Sequence, residues 1–311
     1  MGYAVAFVLL LCGCASAVQA AEFTQITFGS ASKSSWNSEP AWSPDGKQIA
    51  YTHAELDRSN QFTSWIEMLP ATGGKPERLP GQDTGERPLL NSHPSWSPDG
   101  KRLVFVAPSG IHFSSERKDH PTVVVPGLHG EGSPACSPDG AWIAFESDAG
   151  GIRTVWRVAA VGGRSEGFPT DRGGLSTPAW SPDGRRLACG LWIGQGRDLW
   201  IVPIVGGVWR SVTRGTSDDG SPAWSPDGNL LVFVSDRSGN RDLWIVAAEG
   251  GEPIQLTTDP GDDVDPCWSP DGKRIAFAST RSGTLQIWIV SDLPPTSLLH
   301  RSWEPAKKLG R

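Results

Sequence analysis

Cysteine is scarce in this chain: five in 311 residues, two of them at positions 12 and 14 and the others at 136, 189 and 267. Three thiols dispersed through strand-like runs cannot supply a disulfide framework, so stability has to come from packing. Cys136, Cys189 and Cys267 therefore read as small buried hydrophobes. Positive charge is also short, with 28 Lys and Arg against 34 Asp and Glu, a net charge of −6 and no basic stripe. A phosphate backbone would be repelled, and we expect no nucleic acid partner. Catalytic signatures are missing as well. There is no Gly-x-Ser-x-Gly nucleophile elbow, no HExxH pair and no EF-hand spacing. The six histidines, His53, His93, His112, His120, His129 and His300, are scattered.

The first twenty residues, MGYAVAFVLLLCGCASAVQA, contain no charged side chain. An apolar run over 5–11 followed by small residues reads as an export signal. The usual basic start is absent, which leaves an uncleaved membrane anchor as an alternative. Two cleavage readings stand side by side. Leu11-Cys12-Gly13-Cys14 resembles a lipobox with Cys14 as the lipidated residue, although Cys at its second position is unusual. Val18-Gln19-Ala20 before Ala21 fits an ordinary signal peptidase. We expect an exported protein, periplasmic or anchored at the outer membrane, with a signal over 1–20, one folded domain over 22–292 and a tail over 293–311.

What the chain has in abundance is repetition. Ser-Pro-Asp-Gly occurs at 43–46, 97–100, 137–140, 181–184, 225–228 and 269–272, at spacings of 54, 40, 44, 44 and 44. Pro presets φ, Asp bonds locally and Gly takes the left-handed conformation, which makes a tight hairpin corner. Alternating strands flank it, as in Lys273-Arg274-Ile275-Ala276-Phe277. A second hairpin turns at Asp236-Arg237-Ser238-Gly239-Asn240, and a third corner carries Gly-Gly at 162–163, 206–207 and 250–251. Each unit thus holds four antiparallel strands, and a period near 44 signals a repeat architecture. The expected fold is all-β: a six-bladed β-propeller of four-stranded blades. The last unit lacks a clear fourth strand, and Phe23-Thr24-Gln25-Ile26-Thr27 is similar to Ile254-Gln255-Leu256-Thr257. We therefore expect the N-terminal strand to close the ring, with Trp303-Glu304-Pro305 as the other candidate.

The segments AWSPDG, SPDGKRIAF and DRSGNRDLWIV resemble the TolB-type, WD-like propeller repeat of bacterial envelope proteins and of prolyl-oligopeptidase-type enzymes. The resemblance covers nearly all of the expected mature chain. It implies the propeller fold and, by analogy with TolB and the lipoprotein Pal, docking of an envelope protein. No N-terminal α/β domain of the TolB kind is evident, and we expect no hydrolase domain after the propeller.

Ten of the fifteen tryptophans follow the repeat. A buried indole removing ~200 Å² from water gains about 5 kcal/mol gross, so these read as blade packing. The six Asp of Ser-Pro-Asp-Gly read as turn formers on one face. The opposite face carries the second-to-third hairpins and the crossings between blades. There the residue before the inner-strand proline, Glu39, His93, Ser133, Thr177, Ser221 or Asp265, should ring the axial mouth. Expected partner contacts are Trp36, Glu39, His93, Trp192, Arg237, Asp265 and Arg281, with Arg58 at a matching hairpin position; turn-local ion pairs are the other, more usual reading of the three arginines. Asp219, Asp263 and Asp265 are the candidate metal ligands. No cofactor is expected unless these carboxylates take Ca²⁺. The function implied is a monomeric, non-catalytic scaffold binding an envelope protein or peptide, touching membrane only through a lipid on Cys14. The alternative is a metal-dependent hydrolase or lyase acting on a carbohydrate or lactone at the channel mouth.

Overall fold

The computed structural model describes residues 21–28, 35–56, 60–85, 88–115, 120–127, 129–168, 173–194 and 196–293. The expected signal with Cys14, the hairpin Arg58 and the tail from 294 onward lie outside these residues. Within them six four-stranded antiparallel sheets follow one another around an axis. Blade 1 runs Ser35–Trp42, Gln48–Leu56, Phe62–Pro70 and Glu77–Arg78. Blade 2 starts at Ser92–Trp96, blade 3 at Gly132–Cys136, blade 4 at Leu175–Trp180 and blade 5 at Gly220–Trp224. Blade 6 consists of Asp263–Trp268, Ile275–Ser279 and Gln286–Ser291, and its outer strand is the N-terminal Glu22–Gln25. The N-terminal closure expected from the sequence is therefore present, with Phe23 opposite Val290 and Gln25 opposite Trp288.

The core is divided into six wedges, each between two adjacent sheets. Phe105 of blade 2 packs with Ile66 of blade 1, and Phe145 of blade 3 packs with Val104 and Ile111 of blade 2. The sixth wedge joins Ile287 and Ile289 of blade 6 to Ile49, Tyr51 and Leu69 of blade 1, with Ile26 beside them. Cys189 is fully buried where blades 3, 5 and 6 place Phe145, Phe233 and Phe277 opposite a tryptophan, and it faces Trp200. Cys136 and Cys267 are half-buried. Burial pushes both of their thiols up to about 12, and Cys189 higher still. The small-hydrophobe reading of the three thiols fits this placement.

The Ser-Pro-Asp-Gly corner is built the same way six times. In the first, Ser43 Oγ donates to Asp45 Oδ1 at 2.7 Å while accepting from Gln48 N at 2.9 Å, and Gly46 N closes the turn on Ser43 O at 2.8 Å. All six aspartates sit below the usual carboxylate value, chiefly because the serine hydroxyl bonds the charged form. The glycines need their residue type: each has φ between 68° and 73°. A Cβ on Gly100 would lie 3.7 Å from Pro44 of the preceding blade's turn, and one on Gly46 would lie 3.8 Å from Pro270. The corners thus form a continuous ring that includes the seam between blades 6 and 1.

Polar groups also fasten that seam. Buried Gln286 Oε1 accepts from Thr27 Oγ1 at 3.0 Å and from Asn37 Nδ2 at 2.8 Å, joining the closing strand and blade 1 to blade 6. Gln286→Ala leaves two buried donors without an acceptor, so we expect a loss of about 3 kcal/mol in urea unfolding. Gln48→Ala, at an exposed strand start, should change the midpoint little; equal effects would refute the assignment.

Candidate binding face

Every inner strand carries the same irregularity. Pairing with the second strand shifts register between Ser38 and Ala41 in blade 1, and between Ser92 and Ser95, Gly132 and Ala135, Ser176 and Ala179, Gly220 and Ala223, and Val264 and Cys267 in the others. The residue before proline is the bulge in each case. Glu39, His93, Ser133, Thr177, Ser221 and Asp265 all take positive φ, from 46° to 55°. Left-handed backbone is costly for residues with a Cβ, and for a β-branched Thr it is a clear outlier. A bulge re-aims a side chain.

Bonds between blades hold these residues. Glu39 Oε2 accepts from His93 N at 2.7 Å and from Thr52 Oγ1 at 2.6 Å. Asp265 accepts the Glu39 N–H across the seam. Thr177 N donates to Glu146 Oε1 at 2.7 Å, and Thr177 Oγ1 accepts from Ser221 N at 3.1 Å. At four of the six junctions, then, a side chain of one blade caps the bulged N–H of the next. The expected mouth ring is assembled, and its chemistry is lopsided: Asp265, Glu39 and His93 lie together, while Ser133, Thr177 and Ser221 form the neutral half. His93 Nε2 is 3.1 Å from Glu39 Oε1. Burial, followed by the neighbouring Glu39 charge, holds the Asp265 carboxyl above the usual carboxylate range.

The two Asp-Asp pairs at the crossings are used differently. Arg197 of blade 4 reaches Asp218 with Nη2 at 2.9 Å from Oδ2, and Asp219 receives Arg237 Nη2 on both oxygens at 2.9 and 2.7 Å. One blade further on, Arg241 Nη2 lies 2.6 Å from Asp262, and Arg281 Nη2 donates to Asp263 at 2.7 Å. The first aspartate of each pair ties the crossing to the previous blade, and the second anchors its own hairpin. Both Asp219 and Asp263 are essentially inaccessible. The Arg237 guanidinium also lies over Phe233 and Trp244, and that of Arg281 over Phe23, Phe277 and Trp288. Arg237 and Arg281, expected as partner contacts, are thus engaged inside their own blades. The candidate metal ligands Asp219, Asp263 and Asp265 are not gathered at one point, and among the described residues no group of three or more His, Cys, Asp or Glu has metal-binding spacing.

The aromatics stand on two opposite blades. Blades 1 and 4 have the longest second and third strands, nine residues each in blade 1 and eight each in blade 4. Phe62 begins the third strand of blade 1 and Trp192–Ile193 end the second strand of blade 4, so both stand at loop-face strand ends. Trp36 stacks on Phe62 with centroids 5.6 Å apart, and Phe62 is 41% exposed. Trp192 is 51% exposed beside exposed Ile193, with Arg197 over its ring. Phe28 and Ile152 add apolar surface to the same face. Phe62, Ile193 and Ile152 escaped the sequence reading; the signal available for Phe62 was the 54-residue first spacing. Two histidines called scattered occupy repeat positions: His53 stands opposite Trp65 where other blades have Phe, and His112 stands opposite Phe105 where others have Trp. A cleft of about 570 Å³ on the flank of blade 1 is lined by Trp65, Arg78 and Gln82, but the Trp65 ring already carries Arg78 at 4.6 Å and His53 at 4.7 Å.

Comparison with known proteins agrees with this geometry. Residues 168–254 match the family model described as PD40, the TolB beta propeller domain. An uncharacterized protein of Agrobacterium fabrum is 34% identical over 134 residues, 42% of each chain, so the match spans less than half the length of that relative. Among solved structures, a protein described as "putative TolB from Agrobacterium tumefaciens" is 25% identical, covers 75% of this chain and 79% of its own, and has a TM-score of 0.58. An oligogalacturonate lyase in complex with manganese is 15% identical with coverage of 96% and 97% and a TM-score of 0.59; that likeness concerns the fold.

The buried Asp263 yields a prediction with a definite sign. Burial raises its pKa and Arg281 opposes the rise. Arg281→Ala leaves a buried carboxylate without its partner, and we expect about 3–5 kcal/mol of destabilisation at neutral pH. A raised folded pKa means that the protonated form is favoured in the fold, so the penalty should shrink as pH falls toward the ordinary carboxylate range. Denaturant midpoints of wild type and variant at pH 7 and pH 4.5 check this; a penalty independent of pH would refute it.

Proposed function

Taking the chain as a carrier of the TolB-type propeller repeat, we propose that it is an exported, monomeric, non-catalytic scaffold that docks an envelope protein or peptide on its loop face. One observation carries the reading. The Ser-Pro-Asp-Gly corners repeat six times on the turn face, where exposed Val161, Val205 and Val208 flank Gly-Gly corners, whereas the aromatic strand ends at Phe62 and Trp192–Ile193 and the charged mouth residues lie on the loop face. Function on repeat scaffolds is expected where loops vary. The apolar run over 5–11 supports export, with Cys14 the residue that would carry a lipid.

The hydrolase or lyase reading requires a metal at the mouth. Its expected ligands Asp219 and Asp263 are each held by an arginine, so they do not fit a shared ion, and we derive no reaction step through one.

Pull-down from envelope extracts of the cells that carry the protein tests the docking face. Phe62→Ala/Trp192→Ala removes exposed surface without touching a wedge of the core, and should lose a partner that wild type retains. Identical sets of captured proteins would reject the loop face as the docking surface.

A further inference from the structure

We propose that the segment docked on the loop face lays apolar side chains on Trp36–Phe62 and on Trp192–Ile193 and places one lysine or arginine side chain in the axial mouth between Glu39 and Asp265. This rests on the docking reading above and names the chemistry of its partner.

The placement of the apolar residues comes first. Six wedges in sequence order put blades 1 and 4 opposite each other, so the aromatic strand ends of these two blades stand on either side of the mouth. A segment that reaches both has to cross the axis. Half-exposed aromatic side chains are the usual anchors of such a contact.

Charge complementarity then selects the group that lies over the mouth. Asp218, Asp219, Asp262, Asp263 and Glu146 each have an arginine within 3 Å. Among the described residues, Glu39 and Asp265 have none. Their neighbours are backbone N–H groups, Thr52 and His93, and Arg241 nearby is committed to Asp262. The bulges fix the two carboxyls side by side, and their mutual repulsion is part of what keeps Asp265 hard to ionise. An ammonium or guanidinium between them relieves that repulsion and gains charge-assisted hydrogen bonds in a half-buried setting. Neutral Ser133, Thr177 and Ser221 across the mouth offer no second anionic position, so the cation is drawn to the side shared by blades 6, 1 and 2.

The test uses a fluorescently labelled heptapeptide with leucine at both ends and one central arginine, against the same peptide with central citrulline, read by fluorescence polarisation at low ionic strength. Wild type should bind the arginine peptide about tenfold or more tighter, the scale of one hydrogen bond to a charged group. Glu39→Gln/Asp265→Asn keeps oxygen acceptors for the His93 and Glu39 N–H groups, so it should melt like wild type and bind both peptides equally. Phe62→Ala/Trp192→Ala should weaken both peptides by a similar factor. Equal affinities in wild type, binding of neither peptide, or a preference that survives in the double carboxamide variant would each overturn the proposal. The pull-down separates the two readings. A cellular partner lost by the aromatic variant and kept by the carboxamide variant leaves loop-face docking standing and removes the cation; a partner kept by both removes both.

Discussion

Each sheet of this molecule has two apolar faces and no means of burying either except against the next sheet, so the ring has to close. The seam wedge alone buries ten residues, including Trp42, Ile49, Tyr51, Ile287 and Ile289. At 1.5–3 kcal/mol for a large apolar side chain, that is of order 10–20 kcal/mol gross, comparable to or larger than the net stability of a whole domain. An open seam would therefore cost the fold rather than loosen it. This is the reason for lending the last blade a strand from the chain's N-terminal side: pairing of residues 22–25 makes closure a matter of backbone hydrogen bonds as well as packing.

Closure also separates the two faces. On the turn face each glycine sits against the preceding blade's proline all the way round, so a change in one corner is felt by its neighbour. On the loop face the second-to-third connections vary: blade 1 is three residues longer from turn serine to third-strand tryptophan, and blade 4, at the common length, continues its strand pairing out to Ile193 and Gly196. The electrostatics follow the same division. The aspartates of the turn corners bond their own serines, while Asp219 and Asp263 at the crossings need Arg237 and Arg281, because there a carboxylate is taken out of water.

The fold was legible because its signals are local: a four-residue turn with a mechanism, alternating strands and a fixed period. The ring of residues before proline was legible for the same reason, since topology alone places them at the mouth. An ion pair was legible for Arg237 and Arg281, but which groups they engage was not. Their carboxylate partners lie 18 residues upstream, and the aromatic rings beneath them come from other strands, so only the folded blade shows that the guanidinium is an internal strut. His53 and His112 were missed because a single chain does not announce when a substitution fills a core position. His53 bonds Asn37 at 2.7 Å and so belongs to the seam network rather than to a ligand set.

The mouth ring poses a separate question of residue choice. A backbone at φ near 50° suits glycine without strain, yet none of the six positions is glycine. Six strained side chains in place of an unstrained hydrogen mean that the side chains are needed. Part of the need is structural, since Glu39, Thr177 and Asp265 cap the N–H of the next blade. Yet a threonine hydroxyl is enough for that purpose at Ser221, and Ser133 and Ser221 occupy the same backbone with no charge at all. Glu39 and Asp265, placed next to each other, therefore exceed what the bulge requires and carry a repulsive cost that two serines would avoid. Packing does not account for the excess, because the same proline follows at all six positions. On the proposed docking reading, that excess is the anionic side of the site.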